Sequence, residues 1–301
     1  MKIAVLLSSY NGEKYIKEQI DSILKQEGSF ELSLIVRDDG STDETINILK
    51  KYEREEKLTW YSGENLRSAK SFLNLICSTS GYDYYAFADQ DDYWEPNKIE
   101  KGITSLGKYN CPAIYLSNGC VVDSKLVSLG RNVYKEPPKS DMYSVLCGAG
   151  LQGCAMLFNE RLAALIRREG IPKIVTNHDS YIARVCTAIG GTIVFDDVPL
   201  LKYRQHENNV IGVTSGVIKN LKNRLKEIFT KDTISIALTA ETILSKYEKD
   251  MPEDCVKWYR QVLNYRKSII NRIRLASSMK TQYINLNWSI TIRLKILLGN
   301  R

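Results

Sequence analysis

The sequence predicts an α/β protein built on a doubly wound, parallel sheet. Short apolar runs, of the kind buried on both faces of such a sheet, alternate with segments whose apolar residues recur at helical spacing. The connections between them are short, which favours right-handed strand–helix–strand units. At 301 residues, the chain is long enough for one large domain, or for one domain with an appendage.

The first third of the chain carries the clearest alternation. Strands are predicted at Lys2–Leu7, Leu32–Val36, Leu58–Tyr61 and Tyr84–Phe87. Helices are predicted at Glu13–Gln26, about Glu44–Tyr52 and about Ala69–Ser78. Because parallel strands end at the same edge of a sheet, the polar residues that follow these strands are expected to converge there.

The rest of the chain is less regular and then becomes helical. Short strands are expected at Ala113–Leu116, Gly119–Val122, Leu151–Phe158 and Thr192–Phe195. Helices are expected from Asn177 to about Ile189, then at Val217–Phe229, Thr233–Tyr247 and Glu253–Met279. Between Ile284 and Ile296 apolar and polar residues alternate, which favours a strand, although the segment could also lie at a membrane interface.

Charge divides the chain unevenly. The net charge is +7, with 42 Lys and Arg against 35 Asp and Glu; residues 217–301 hold 17 of the basic and 7 of the acidic side chains. We therefore predict two parts, residues 1–216 and a basic, mainly helical region at 217–301. A basic region of this kind indicates contact with an anionic surface, either membrane phosphates or nucleic acid.

Cysteine usage and hydropathy indicate the cellular compartment in which the chain is expected. The seven cysteines are scattered and form no CxxC pair, which argues against a disulfide framework or a zinc site and indicates a reducing cytosol. The apolar run Ile3–Leu7 is too short for a secretory signal. No stretch reaches the roughly 18 uninterrupted apolar residues expected of a membrane span.

An acidic cluster follows the strand Tyr84–Phe87. Asp89, Asp91 and Asp92 place three carboxylates within four positions. Carboxylates this close repel one another unless a cation neutralises them, and oxygen ligands favour Mg²⁺ or Mn²⁺. The alternative is an acidic surface turn that caps the next helix.

Two more polar clusters are expected at the same edge of the sheet. Ser8 and Tyr10 follow the first strand, and Asp38 and Asp39 follow the second. None of these turns contains a GxGxxG or GxxxxGK[ST] motif, so dinucleotide-binding and P-loop sites are not predicted. The same absence argues against a nucleotidyltransferase, which would need a glycine-rich phosphate loop after the first strand.

Only two histidines occur in the chain, His178 and His206. His206 lies in a polar run and could complete a metal site begun by Asp91, because imidazole is a suitable Mn²⁺ ligand. A metal on a diphosphate neutralises charge on a leaving group, and a carboxylate elsewhere could deprotonate an acceptor hydroxyl. This combination indicates group transfer from a nucleotide-activated donor.

Taken together, these motifs resemble those of the inverting GT-A glycosyltransferases of family 2. The resemblance spans about residues 1–213 and is carried by Ser8–Gly12, Asp38–Asp43, Asp89–Trp94, Asn177–Asp179 and Tyr203–His206. The Asp-Gln-Asp-Asp-Tyr-Trp sequence is most similar to rhamnosyltransferase-type members that build bacterial surface polysaccharides.

The resemblance implies a role for each matching residue. The nucleotide-sugar site would contain Ser8, Tyr10, Asp39, Asp89 and Gln90. Asp91 and His206 would hold Mn²⁺ or Mg²⁺, and Asp179 would be the general base. This chain has His178 where the family often has an acidic residue, which makes His178 the alternative base.

We therefore predict a GT-A fold with an α-helical C-terminal extension and a metal-dependent inverting glycosyltransferase activity. The expected donor is dTDP-L-rhamnose, with a UDP-hexose as the alternative. The expected acceptor is a growing glycan, carried on a polyprenyl diphosphate at the cytoplasmic membrane face, with the basic region holding the enzyme there peripherally. The alternative from another functional class is a non-catalytic protein that binds a glycan or nucleic acid. For the preferred glycosyltransferase we do not expect a nucleic-acid partner.

Overall fold

The computed structural model describes residues 1–148, 150–206, 229, 234–281, 283 and 286–300. The chain divides into two compact units. The first unit comprises Met1–Pro137, Gln152–Ile182 and Thr192–Asn208. The second comprises Pro138–Leu151, Ala183–Gly191 and Asn209–Arg301, so the C-terminal helices share their unit with two earlier segments. The predicted boundary between residues 216 and 217 lies outside the described residues, as do residues 217–228 of the predicted helix Val217–Phe229.

The first unit contains a nine-stranded sheet, and the α/β class is confirmed. Its strands are β1 Lys2–Ser9, β2 Glu31–Asp38, β3 Thr59–Ser62, β4 Tyr84–Ala88, β5 Tyr93–Trp94, β6 Ala113–Val122, β7 Ser128–Asn132, β8 Met156–Asn159 and β9 Thr192–Arg204. The strand order is β3-β2-β1-β4-β8-β6-β9-β5, and β7 pairs with β6.

The described residues form eleven α-helices. They are α1 Ile16–Leu24, α2 Thr45–Arg54, α3 Arg67–Ser78, α4 Lys98–Leu106, α5 Met142–Cys147, α6 Glu160–Glu169, α7 His178–Ala188, α8 Ile236–Tyr247, α9 Glu253–Leu263, α10 Ile269–Ser277 and α11 Leu286–Leu298. None of these helices has the length and apolar character needed to cross a bilayer. None of the seven cysteines forms a disulfide.

The parallel part of the sheet follows from the sequence. β1 pairs in parallel with both β2 and β4, and β2 pairs in parallel with β3. β1 is buried from Ile3 to Leu7, as expected of a continuous apolar strand with a neighbour on each side. The carboxyl ends of β1, β2 and β4 therefore lie at one edge, which is where the predicted site residues follow.

The second half of the sheet is mixed, which corrects the expectation of a parallel sheet. β8 runs antiparallel to β4 and β6, whereas β6 and β9 pair in parallel. Two antiparallel steps restore the original direction, so β9 ends at the same edge as β1, β2 and β4. The predicted strands Ala113–Leu116 and Gly119–Val122 are one strand, and β9 continues nine residues beyond the predicted end at Phe195.

The structure corrects one C-terminal prediction and decides a second that the sequence left open. The predicted helix Glu253–Met279 is interrupted, because Ser268 accepts a hydrogen bond from the Asn271 backbone N–H at 3.1 Å and caps a new helix, α10. From Leu286 onward, the alternating segment forms α11 rather than a strand. Its apolar residues lie on two sides of the helix, since Ile292 and Ile296 are buried whereas Ile290 and Leu294 are exposed.

Candidate active site

The loops after β1 and β2 are held together by Asp38. This fully buried carboxylate accepts hydrogen bonds from the Ser9 hydroxyl at 3.1 Å and from the backbone N–H groups of Gly40 and Ser41 at 3.1 and 2.8 Å. Asn11 adds a second connection, because its backbone N–H donates to the Ser41 hydroxyl at 2.9 Å. Asp38 therefore orders the loop instead of facing a ligand.

Asp39, one of the residues predicted to bind the nucleotide, is fixed in one orientation. Its carboxylate forms a buried ion pair with Arg37 and accepts hydrogen bonds from the backbone N–H groups of Leu66 and Arg67 at 3.0 and 2.9 Å. The Ser71 hydroxyl lies 3.1 Å from the Arg37 guanidinium and 2.6 Å from the Ser8 hydroxyl. A continuous polar chain thus joins two predicted nucleotide-site residues, Ser8 and Asp39. No local sequence pattern identifies Arg37 as the partner of Asp39.

Tyr10 and Gln90 connect the end of β1 to the acidic loop. The Tyr10 backbone N–H donates to the Gln90 side-chain oxygen at 2.8 Å, and the Gln90 amide donates back to the Tyr10 carbonyl at 3.1 Å. A Cβ at Gly12 would lie 2.3 Å from the same Gln90 oxygen, so a larger residue there would displace the Gln90 side chain from this position. The Tyr10 ring is 49% exposed at the edge of the sheet, where a planar ligand could contact it.

Asp91 and His206, the predicted metal ligands, face each other. The His206 Nε2 atom lies 2.8 Å from an Asp91 carboxylate oxygen, although the residues are 115 positions apart in the chain. Both side chains are partly exposed, at 14% for His206 and 21% for Asp91. One carboxylate oxygen and one imidazole nitrogen at a solvent-accessible edge are a suitable beginning for Mn²⁺ or Mg²⁺ coordination.

Arg204, the last residue of β9, holds this pair in position. Its backbone N–H donates to Asp92 at 3.0 Å, and its guanidinium Nε donates to the Asp91 carbonyl at 2.7 Å. The guanidinium carbon lies 4.4 Å from the centre of the Tyr15 ring, and that ring lies 5.1 Å from the His206 ring. A buried arginine thereby fixes His206, two residues later, against the acidic loop.

A second polar cluster, close to Asp91, is mostly buried. Ligand atoms of Asp89, Asp92 and Cys154 lie within 4.8 Å of one another. Burial, reinforced by the charges of Asp91 and Asp179, raises the pKa of Asp89 to about 7. Burial and the neighbouring carboxylates also raise the pKa of Asp92.

Two buried side-chain atoms, one in this cluster and one beside it, have no hydrogen-bond partner among the described residues. They are the second carboxylate oxygen of Asp92 and the Lys98 ammonium, which lies 4.5 Å from the centre of the Trp94 ring. Burial lowers the pKa of Lys98 to about 8. Clustered carboxylates with raised pKa values fit a nearby cation, because a positive charge would relieve their repulsion. Asp92 does not cap the next helix, since Asn97 precedes α4.

The two candidate bases lie in different surroundings. Asp179, in the first turn of α7, is partly exposed and close enough to Asp89 to raise that residue's pKa. His178 is buried between Phe72 and Phe87, with ring centres 4.0 and 4.8 Å away, and burial lowers its pKa to about 4. The surroundings of His178 are those of a neutral core residue, which favours Asp179 as the base.

Gly153 provides the space that His178 occupies, which gives a first testable prediction. A Cβ at Gly153 would lie 2.5 Å from the His178 Nε2 atom, and the flanking phenylalanines prevent that ring from moving aside. Gly153→Ala is expected to lower the free energy of unfolding by about 1–3 kcal/mol, measured by urea denaturation. Gly107→Ala is the matched control, because the nearest atom would lie at 3.4 Å. Equal stability of the two variants would contradict this packing.

Comparisons with known proteins agree on one family. Residues 4–163 match the model of glycosyl transferase family 2. A Shigella flexneri protein named dTDP-rhamnosyl transferase RfbG is 28% identical over 221 residues, which cover 68% of this chain and 73% of that protein. An uncharacterized glycosyltransferase of Rickettsia prowazekii, RP339, is 33% identical over 255 residues, covering 81% of this chain and 77% of the relative.

Solved structures support the fold. Residues 1–349 of S. aureus TarS, in complex with UDP-GlcNAc, align with a TM-score of 0.56 and 16% identity, covering 99% of this chain and 91% of that one. A longer TarS structure aligns with the same TM-score, and this chain spans 46% of its length. At this level of identity the likeness concerns the fold alone, and it confirms the expected GT-A architecture.

Proposed function

The chain belongs to glycosyl transferase family 2 and is a glycosyltransferase, and we propose that it is an inverting, metal-dependent enzyme that uses dTDP-L-rhamnose. The named rhamnosyl transferase among its relatives supports this donor. Family membership sets aside the nucleotidyltransferase and the non-catalytic binding protein considered above. The acceptor in our proposal is a hydroxyl of a growing bacterial surface glycan carried on a polyprenyl diphosphate.

The observation that carries the proposal is the meeting of Asp91 and His206 at 2.8 Å. In the proposed complex these two side chains hold Mn²⁺ or Mg²⁺ beside the donor diphosphate. The ion supplies positive charge that stabilises the departing nucleoside diphosphate. In this proposal Ser8, Tyr10, Asp39, Asp89 and Gln90 bind the nucleotide, and the backbone N–H groups of Leu66 and Arg67 hold the Asp39 carboxylate in place.

Asp179 performs the proton transfer in this proposal. Its carboxylate accepts the proton of the acceptor hydroxyl while the hydroxyl oxygen attacks the anomeric carbon from the side opposite the nucleotide. One displacement forms the new glycosidic bond, breaks the bond to the diphosphate and inverts the anomeric configuration.

Residues 1–216 form the catalytic domain in our proposal, and residues 217–301 hold the enzyme peripherally at the inner face of the plasma membrane. The surplus of basic residues in that region supports this location, because each basic residue near an anionic surface contributes up to ~1 kcal/mol. A lipid-linked acceptor would be presented at the same surface.

A donor screen tests the proposed reaction. The full chain would be incubated with dTDP-, UDP- and GDP-sugars in Mn²⁺ or Mg²⁺, and release of nucleoside diphosphate would be measured. We expect turnover of dTDP-L-rhamnose that EDTA abolishes. Turnover of a UDP-hexose instead would support the alternative donor, the class with which TarS was solved. Metal-independent turnover of any donor would contradict the proposed metal site.

A further inference from the structure

Two C-terminal helices of the second unit carry large apolar side chains that are exposed in the described part of the chain. On α11, Leu286, Ile290, Leu294 and Leu298 recur at every fourth position and are 40–76% exposed. This spacing places them along one side of the helix. The other side of α11 is buried through Ile292 and Ile296 and provides its packing. The exposed side is therefore not needed for folding of the unit.

α10 adds to this surface. Ile269, Ile270 and Ile273 are each more than half exposed, and Met279 follows the helix at 79% exposure. The two helices pack against each other. Arg293 joins them, because its guanidinium donates hydrogen bonds to the carbonyls of Ser278 and Thr281 at 3.1 and 3.2 Å. The exposed apolar residues thus belong to one helical hairpin.

Several exposed apolar side chains on one helical hairpin are unusual for a protein surface that contacts only solvent. Single exposed apolar side chains are ordinary, whereas contiguous ones mark contact with a partner or a membrane. The partner can be identified from charge. Residues 255–301 contain ten Lys and Arg and no Asp or Glu, and Lys267, Arg274 and Lys280 are exposed on and beside α10.

This charge favours an anionic lipid surface over a second copy of the chain. A symmetric dimer through the hairpin would bring two cationic surfaces together, which is unfavourable. An anionic bilayer offers opposite charge at its headgroups and an apolar layer beneath them. At 13 residues, α11 is about 20 Å long, too short to cross a bilayer core of about 30 Å but suited to lying on its surface.

We propose that α10 and α11 form a membrane-contact surface, which inserts its exposed isoleucines and leucines among the acyl chains of an anionic bilayer. This inference deepens the membrane location proposed above, since it assigns attachment to apolar insertion at a defined hairpin and gives the basic residues a supporting role. Binding through insertion should persist at salt concentrations that remove purely electrostatic adsorption.

Vesicle flotation of the full chain tests the inference. The wild type is expected to float with vesicles of phosphatidylcholine and phosphatidylglycerol, and to remain bound in high salt. The triple variant Ile270→Asn, Ile290→Gln, Leu294→Gln is expected to partition at least tenfold less. The control variant Val127→Asn, Leu129→Gln changes two similarly exposed apolar residues of the first unit and should bind normally. Replacing Lys267, Arg274 and Lys280 together with glutamine should weaken binding at low salt by less than the apolar triple variant does, and should leave binding in high salt unchanged.

Circular dichroism and hydrolysis of soluble donor would establish that each variant is folded. Equal flotation of the triple variant and the wild type would overturn the inference. Absence of wild-type flotation, together with a concentration-dependent dimer that the triple variant fails to form, would also overturn it and identify a self-association surface. Failure of donor hydrolysis with normal flotation would instead count against the proposed reaction and leave the membrane surface supported.

Discussion

Asp179→Asn is expected to lower kcat by about 10²- to 10⁴-fold, the range typical of removing a general base. Asparagine retains the size and the hydrogen-bonding shape of the side chain but cannot take up a proton at neutral pH. Because Asp179 acts on the acceptor in the proposed reaction, the KM for the nucleotide sugar should change by less than about threefold. Steady-state kinetics with a glycan acceptor would measure both parameters.

The alternative base gives the comparison for this experiment. His178→Gln replaces the buried ring between Phe72 and Phe87 with a side chain of similar length. We expect this variant to lose stability but to retain kcat within a few-fold when it is assayed below its unfolding temperature. The opposite result would identify His178 as the general base. In that case His178→Gln would lose kcat by about 10²- to 10⁴-fold, whereas Asp179→Asn would remain active.

Asp91→Asn is expected to reduce metal-dependent turnover by at least ~100-fold. Asparagine can preserve the 2.8 Å contact with His206 through its amide, so the loop should keep its shape while it loses the negative charge that binds a cation. The expected result is a large increase in the Mn²⁺ concentration required for half-maximal hydrolysis of the donor.

Asp83→Asn is the matched control for the loss of charge. Asp83 precedes β4, at the opposite edge of the sheet, and its carboxylate accepts a hydrogen bond from the Lys2 backbone N–H at 2.7 Å. This variant should show wild-type metal dependence. An Asp91→Asn enzyme with the same Mn²⁺ requirement as Asp83→Asn would show that Asp91 does not bind the metal.

The part of the site built on parallel strands could be predicted from sequence. A buried apolar strand is recognisable from its composition, and its direction determines where the following polar residues lie. Ser8, Asp39 and Asp91 were placed at one edge by this reasoning alone. His206 was associated with them by chemistry and by family resemblance, because the polar run after Tyr203 has no periodicity that would predict the end of β9.

Other site residues depend on tertiary packing that no local pattern reveals. Arg37 and Arg204 are both buried, although arginine is expected at the surface, and no local pattern predicts their partners. Lys98, at the start of α4, is buried beneath the acidic loop, where a sequence rule predicts an exposed lysine. Cys154 joins the cluster only because the chain returns antiparallel to β4 through β8.

The C-terminal helices show why periodicity alone can mislead. The alternation between Ile284 and Ile296 suggested a strand because every second residue is apolar. In α11, Ile292 and Ile296 are buried whereas Ile290 and Leu294 are exposed, so apolar residues occupy both sides of one helix. The pattern therefore reflects two surfaces instead of one strand.

The central claim is that Asp91 and His206 hold a divalent ion on the donor diphosphate, and Mn²⁺ binding tests it most directly. The paramagnetic resonance signal of free Mn²⁺ would be titrated against the full chain in the presence of dTDP and, separately, of UDP. We expect a single nucleotide-dependent Mn²⁺ in the wild type and in Asp83→Asn, and its loss in Asp91→Asn and in His206→Gln. Wild-type Mn²⁺ binding in both Asp91→Asn and His206→Gln would contradict it.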